Sequence, residues 1–148
     1  MKKDTIILYG SYGYTGSLIA QECKSKMLNV ILSGRDGEAL RKQSLSTGFP
    51  FEVVDLQDIK PLKKLLQQGG LLIHCAGPFQ YTADAMVQAC IETATHYTDI
   101  TGECHVFEML AEYNERGREA GIMIMPGVGF DVVPSDCLAV HLKQRLPE

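Results

Sequence analysis

The chain lacks tryptophan, a long apolar run and any excess of basic charge. Its formal net charge is −4, from 14 Lys and Arg against 18 Asp and Glu. That balance excludes the basic surface typical of nucleic-acid-binding proteins. No stretch of its 148 residues approaches the roughly 20 consecutive apolar residues that a membrane-spanning helix needs. We therefore expect neither a nucleic-acid partner nor a membrane span.

The sequence also lacks signs of disulfide chemistry and of secretion. Its five cysteines are odd in number and form no Cys-x-x-Cys pair. The turn at Gly10 arrives before any apolar segment long enough for a signal peptide. These observations favour reduced, mostly buried thiols in a cytoplasmic protein.

A glycine-spaced turn near the amino terminus is the strongest motif present. The apolar residues 6–9 lead into Gly10-x-x-Gly13-x-x-Gly16, and apolar positions at helical spacing follow at Leu18, Ile19, Cys23 and Met27. Strand, tight turn and helix in this order are typical of a dinucleotide-binding loop, where the backbone approaches the pyrophosphate and the first helical N–H groups face the anion. A purely steric need for the glycines is the alternative interpretation. A triphosphate-binding loop is excluded because Ser17 and Leu18, not Lys and Ser or Thr, follow Gly16.

The end of the second predicted strand indicates the choice of cofactor. The apolar residues 30–32 lead into Ser33-Gly34-Arg35, where a dinucleotide domain meets the adenosine ribose. Arg35 predicts contact with a 2′-phosphate and hence a preference for NADP over NAD, although a solvated loop charge is nearly as good an explanation. Asp36 is the competing signal for NAD, but it follows the arginine and could equally cap the next helix.

Apolar runs and helical stripes alternate along the rest of the chain. Strands are predicted at 49–56, 71–75, from 96 and at 122–125. Helices are predicted at 37–46, around the stripe Ile59, Leu62, Leu65 and Leu66, at 81–93 with Ala85, Met86, Ala89 and Cys90 facing inward, and from 106 to near 121. A last helix is predicted with Ser135 as its cap and with Leu138, Leu142 and Leu146 one turn apart. This alternation predicts a doubly wound α/β fold with a mostly parallel, Rossmann-type sheet.

Two further strand ends supply candidate site residues. Asp55 would lie at the carboxyl end of the third strand and could accept a hydrogen bond from an adenine amino group, or could be an exposed turn aspartate. The small residues Ala76-Gly77-Pro78 after the fourth strand leave room for a flat nicotinamide. We interpret His74 and Cys75, just before them, as packing residues.

No residue is nominated as catalytic, and no metal site is expected. The polar segment containing His96, Asp99, Glu103, Cys104 and His105 fits no metal-binding spacing, and Glu103 near a helix start is explained by the helix dipole. The Tyr-x-x-x-Lys pair of short-chain dehydrogenases is absent, because no tyrosine has a lysine four residues on.

Five segments together resemble the amino-terminal domain of saccharopine dehydrogenase-like oxidoreductases: 9–16, 33–35, 75–79, 89–103 and 129–136. The resemblance implies a nicotinamide cofactor, with the turn residues at its pyrophosphate, Arg35 at its ribose phosphate and residues 76–78 near its nicotinamide. The sequence departs from the family at Ser11, where alanine is usual, and at His74, where asparagine is usual. The predicted cofactor site comprises Gly10, Tyr12, Gly13, Tyr14, Thr15, Gly16, Ser33, Arg35, Asp55, Ala76, Gly77 and Pro78.

The resemblance also implies a second domain that closes over the cofactor, and residues 1–148 correspond to the NAD(P)-binding domain alone. Hydride transfer needs a pocket that excludes water and holds the substrate against the nicotinamide. The leading hypothesis is therefore the NADP-binding domain of an oxidoreductase whose substrate is unknown. A non-catalytic dinucleotide-binding module or redox sensor is the alternative. An apolar surface left by the second domain predicts a homo-oligomer.

Overall fold

The structure, a computed structural model, describes residues 4–146, within which six strands alternate with seven helices. The strands are β1 (Thr5–Tyr9), β2 (Asn29–Gly34), β3 (Phe51–Val53), β4 (Leu71–His74), β5 (His96–Asp99) and β6 (Ile124–Met125). The helices are α1 (Tyr14–Ser25), α2 (Gly37–Thr47), α3 (Ile59–Leu66), α4 (Phe79–Thr93), α5 (Cys104–Ala111), α6 (Asn114–Glu119) and α7 (Val133–Lys143). None of these helices is long and apolar enough to cross a membrane.

The strands form one parallel sheet in the order β3-β2-β1-β4-β5-β6. The predicted doubly wound α/β fold is confirmed. The chain moves outward from β1 to β3 and then returns to the other side of β1, so the order reverses between β1 and β4. Tyr9 at the end of β1 pairs with Ser33 of β2 and with His74 of β4. The three carboxyl ends are therefore level, and in such sheets ligands bind in the crevice at this reversal.

Two apolar clusters cover the two faces of the sheet. Alternate residues of a strand point to opposite faces, so Ile7 belongs to one cluster and Leu8 to the other. The larger cluster joins β1, β4 and β5 to α3, α4 and α5, and the smaller one joins β1 and β2 to α1 and α2. Both faces are buried, which explains why the central strands are apolar without alternation.

The prediction of one continuous helix from Val106 to near residue 121 is wrong. It consists of two helices, α5 and α6, separated at residues 112–113. Only the predicted positions Val106 and Leu110 of this stretch reach the core fully. Gly117 in α6 sits where an added Cβ would lie 2.8 Å from Ile124 Cδ1, so α6 packs closely against β6.

The prediction for the last helix is wrong at its start. Helix α7 begins at Val133, and Ser135 lies inside it, donating its hydroxyl to the carbonyl oxygen of Asp131 instead of capping the helix. Leu138, Leu142 and Leu146 are all exposed, and α7 contains no buried residue. The periodicity indicated an apolar surface but could not reveal whether anything covers it.

Smaller corrections concern the ends of elements and single positions. The third strand is reduced to Phe51–Val53 and the sixth to Ile124–Met125. Leu18 and Met27 of the first apolar helical pattern and Ile59 of the later stripe are exposed, and Ala85, predicted to face inward, is half-buried beside the fully buried Ala83 and Val87. In α1 the inward face is formed by Gly16, Ala20 and Cys23, because a glycine contact sets how the helix is rotated on the sheet.

Candidate functional site

A cleft of about 480 Å³ opens at the carboxyl ends of β1, β2 and β4, where the strand order reverses. Its wall combines glycine backbone, aromatic rings and a few polar groups. It is lined by Tyr9, Gly10, Tyr12, Gly13, Gly34, Arg35, Asp55, Leu56, Gln57, Cys75, Ala76, Gly77, Pro78, Tyr81 and Thr82. Its position at the reversal is the one at which parallel sheets of this kind bind nucleotides.

The glycine turn is packed so tightly that side chains are excluded. Gly10 has φ +76°, and a Cβ there would lie 2.8 Å from the amide nitrogen of Ala76. The amide of Gly10 donates to the carbonyl oxygen of Ser33 at 2.8 Å, which ties the turn to the end of β2. A Cβ on Gly16 would lie 2.8 Å from Ser11 Cα, so α1 starts in direct contact with the turn. Both glycines are thus required by close backbone approach.

The amino terminus of α1 differs from those of α2 and α4, which also start at this edge of the sheet. Asp36 Oδ1 accepts the amides of Glu38 and Ala39 at 3.0 Å each and caps α2. Glu103, which stands just before α5, accepts the amides of Phe79 and Gln80 and caps α4. Helix α1 has no side-chain cap and no acidic residue in its first turn. Its unpaired N–H groups and positive dipole end therefore favour an external anion.

The end of β2 presents Arg35 to the cleft. Tyr12 covers the neighbouring glycine, since a Cβ on Gly34 would lie 2.6 Å from Tyr12 Cε1, and its hydroxyl accepts the amide of Asp36 at 3.3 Å. Asp36 caps α2, which is the structural alternative to a role of Asp36 in selecting NAD. Ser33 is fully buried and donates its hydroxyl to the carbonyl oxygen of Glu52. Arg35 is therefore the charged side chain that β2 brings to the cleft.

Asp55 lies in the cleft wall and also forms a turn. Its Oδ1 accepts the amide of Gln57 at 3.0 Å, as an aspartate does when it shapes a turn with its own backbone. Leu56 and Gln57 follow it into the lining. The structure is thus compatible with both interpretations of Asp55, a turn residue and a cleft residue.

The opposite end of the cleft is formed by the segment after β4. Residues 75–78 line it, with a cis peptide bond between Gly77 and Pro78. Burial, and after it the charge of Asp99, raise the pKa of Cys75 to about 12, so this thiol stays protonated and is a poor nucleophile. Burial also raises the pKa of Tyr9 to about 12, and its hydroxyl donates to the carbonyl oxygen of Val54. Neither group is prepared for proton transfer at neutral pH.

His74 is fully buried beneath this segment, as the packing interpretation predicted. Its ring meets that of Phe79 edge-on at 5.2 Å between centroids. Burial lowers the pKa of His74 to about 3, so the imidazole is neutral under ordinary conditions. Its Nε2 lies 3.0 Å from Thr82 Oγ1, and its Nδ1 has no hydrogen-bond partner.

Asp99 organises the loops beyond the cleft. It is fully buried at the end of β5, and its carboxylate accepts the Tyr97 hydroxyl at 2.6 Å and the amides of Thr101 and Gly127 at 3.0 and 2.9 Å. Burial and this contact with Asp99 strongly raise the pKa of Tyr97. The amide of Val128 donates to the Asp99 carbonyl oxygen at 2.9 Å. One aspartate thus links the loop after β5 to the loop after β6.

Eight of the twelve predicted cofactor residues line the cleft: Gly10, Tyr12, Gly13, Arg35, Asp55, Ala76, Gly77 and Pro78. Tyr14, Thr15, Gly16 and Ser33 lie outside the lining, at the start of α1 and at the end of β2. Tyr81 and Thr82 also line the cleft and were not among the predicted site residues, because the fourth helix was predicted to begin at residue 81, whereas α4 begins at Phe79. Within residues 4–146 no group of three or more His, Cys, Asp or Glu side chains is placed to hold a metal ion.

The parallel sheet, the glycine turn and the cleft at the strand reversal define a Rossmann-type dinucleotide-binding domain. Residues 6–125 match the family model described as the saccharopine dehydrogenase NADP binding domain, and the chain belongs to this family. As the sequence resemblance indicated, the chain carries the NADP-binding domain of this family, and it is similar to saccharopine dehydrogenase-like oxidoreductases.

Curated relatives and a solved structure agree with this family. The chain is 27% identical to the mouse saccharopine dehydrogenase-like oxidoreductase over 95% of its length, and 28% identical to a trans-acting enoyl reductase of Mycobacterium ulcerans over 97%. Apo saccharopine dehydrogenase from Saccharomyces cerevisiae superimposes with a TM-score of 0.82 at 20% identity over 95% of the chain, which shows the shared fold. The chain spans 38%, 36% and 31% of these three proteins, respectively.

Proposed function

We propose that NADP(H) lies across the cleft, with its pyrophosphate at the turn of Gly10 and Gly13, its 2′-phosphate at Arg35 and its nicotinamide beside residues 76–78. Tyr12, Tyr14, Thr15, Gly16 and Ser33 would complete the turn and the ribose end of this site, and Asp55 would reach the adenine. The observation that carries the proposal is the uncapped amino terminus of α1 between two helices that carboxylates already cap.

In a longer protein, this domain would supply the cofactor half of a hydride-transfer site. The bound nicotinamide supplies the hydride, and the residues of this chain bind and orient it. Thr82 and the backbone of residues 76–78 would set the position of the ring, and a further domain would provide the substrate pocket and exclude water. Cofactor binding without turnover in the full-length protein would instead favour a non-catalytic sensor.

Substitution of Arg35 by alanine is expected to remove the preference for NADPH. Loss of one charge-assisted contact with a phosphate should weaken NADPH binding by about 10- to 100-fold, equivalent to ~1.4–2.7 kcal/mol, and leave NADH binding nearly unchanged. Isothermal titration calorimetry with each cofactor at fixed salt measures both affinities.

The matched control is Arg41→Ala, which removes an exposed arginine of α2 outside the cleft and keeps the net-charge change the same. It should reduce NADPH affinity by less than about twofold through long-range electrostatics alone. Equal losses in the two variants would contradict a specific contact of Arg35 with the 2′-phosphate.

We also propose that the chain self-associates through α7. Leu138 and Leu142 are 57% and 53% exposed on a helix that buries no residue, and exposed apolar patches promote association. Light scattering at high concentration should report a dimer or larger species, and Leu138→Glu with Leu142→Glu should give a monomer. Leu45→Glu on α2, where the leucine is 81% exposed, is the control that should leave association intact. A monomeric parent chain would refute this proposal.

We propose that the protein is located in the cytoplasm. All five cysteines are free, and Cys23 and Cys90 are buried as apolar side chains, which suits a reducing compartment. Fractionation of cells that express the full-length protein tests this directly. Recovery in an organelle fraction would contradict it.

A further inference from the structure

The buried ring of His74 has a feature that packing alone does not explain. Among the side chains of residues 4–146, its Nδ1 is the one buried polar atom without a hydrogen-bond partner. The ring is surrounded by the aromatic rings of Tyr9, Phe79 and Tyr97. A phenylalanine would suit such surroundings without leaving a polar atom unpaired. The presence of an imidazole at this position must therefore be explained by the hydrogen bond of its other nitrogen, Nε2.

That nitrogen is the donor of a two-step hydrogen-bond chain. Thr82 Oγ1 lies 2.9 Å from the carbonyl oxygen of Ala76 and 3.2 Å from that of Pro78, and carbonyl oxygens can only accept. The single hydroxyl proton of Thr82 therefore goes to a carbonyl. Nε2 of His74, 3.0 Å away, must carry its own proton and donate it to Thr82. This assignment leaves Nδ1 as a bare acceptor, in agreement with its lack of a partner.

This chain of hydrogen bonds ends on the backbone segment that forms one end of the cleft. Ala76, Pro78 and Thr82 all line the cleft, whereas His74 does not. His74 thus acts from below the surface: it orients the Thr82 hydroxyl, which in turn holds the backbone of residues 76–78. The aromatic contacts of its ring limit the rotation of His74 and so fix the direction of the donated proton.

We propose that His74 is a positioning residue for the nicotinamide end of the cofactor, acting through Thr82 on the Ala76 carbonyl. This inference rests on the proposed function, because it requires the nicotinamide to lie beside residues 76–78. It assigns no proton transfer to His74, which is buried and outside the cleft lining. When this donor is lost, the nicotinamide half of the cofactor is held differently, while the adenosine half is unaffected.

The test compares two ligands that differ only at the nicotinamide end: NADPH and 2′-phospho-ADP-ribose. His74→Leu should weaken NADPH binding by about five- to tenfold, the equivalent of one hydrogen bond, and change 2′-phospho-ADP-ribose binding by less than about twofold. The fluorescence change of NADPH on binding, which reports the surroundings of the nicotinamide, should also decrease. His74→Gln, whose side-chain amide can reach Thr82 Oγ1 as a donor, should restore both values.

If His74→Leu does not fold, a second pair of variants tests the same chain of hydrogen bonds. Thr82→Val removes the hydroxyl at nearly constant volume and should reproduce the selective loss, whereas Thr93→Val, which removes a threonine hydroxyl at the other end of α4 and outside the cleft, should not. Equal loss of both ligands, or no loss in Thr82→Val, would overturn the inference while the proposed function stands. Failure of the parent chain to bind 2′-phospho-ADP-ribose at all would instead refute the proposed function, and this inference with it.

Discussion

Replacement of Asp99 by alanine is expected to lower the free energy of unfolding by about 4 kcal/mol, because it leaves three buried hydrogen-bond donors without an acceptor, each at a cost of about 1–3 kcal/mol. Its carboxylate accepts one hydroxyl and two amides in a fully buried position. Alanine would leave the Tyr97 hydroxyl and the amides of Thr101 and Gly127 without their acceptor. Within residues 4–146, no other side chain beyond the cleft accepts as many hydrogen bonds as the carboxylate of Asp99.

Urea denaturation followed by circular dichroism measures this effect. Asp99→Asn keeps the size and one acceptor oxygen, so it should give an intermediate loss, whereas Asp131→Ala removes an exposed aspartate and should change stability by less than about 0.5 kcal/mol. A midpoint for Asp99→Ala that matches the parent, with the same dependence on urea, would show that these contacts do not stabilise the fold. A decrease confined to the loops after β5 and β6 would appear as faster local hydrogen exchange at Thr101 and Gly127.

The central part of the fold could be predicted because its signals are local. Strand, glycine turn and helix follow one another within residues 5–25, and the apolar strands identify a sheet covered on both faces. Helix α2 was predicted to within one residue, since Asp36 caps its start and Gly48 has a left-handed φ of 84° at its end. Such signals are read directly from neighbouring residues in the sequence.

Interactions between distant segments could not be predicted in the same way. Glu103 stands at the start of α5, where a dipole explanation was available, yet its carboxylate caps α4, 24 residues earlier. The backbone amides that donate to Asp99 come from the loops after β5 and β6. The break between α5 and α6 and the exposure of α7 depend on which surfaces pack together, and helical periodicity does not contain that information.

Substitution of Gly16 by alanine should produce the largest loss of cofactor binding. The added Cβ would lie 2.8 Å from both Cα and the carbonyl oxygen of Ser11, and closer still to the carbonyl oxygen of Gly10. These are backbone atoms, so the turn and α1 must move apart. We expect a decrease in NADPH affinity of about a hundredfold, equivalent to ~2.7 kcal/mol, and a loss of stability of about 2–3 kcal/mol from the steric overlap.

The same substitution at Gly102 is the control, because a Cβ there would meet no atom within 4 Å and its backbone has no left-handed φ. Gly13→Ala separates the two effects: its Cβ would lie 3.3 Å from the Gly10 carbonyl oxygen, so the fold should tolerate it, yet the methyl group would occupy the approach to the pyrophosphate. Calorimetry and thermal unfolding on the three variants distinguish packing from phosphate contact. If Gly13→Ala bound NADPH as the parent does, the pyrophosphate could not lie against this turn, whatever Gly16→Ala does to stability.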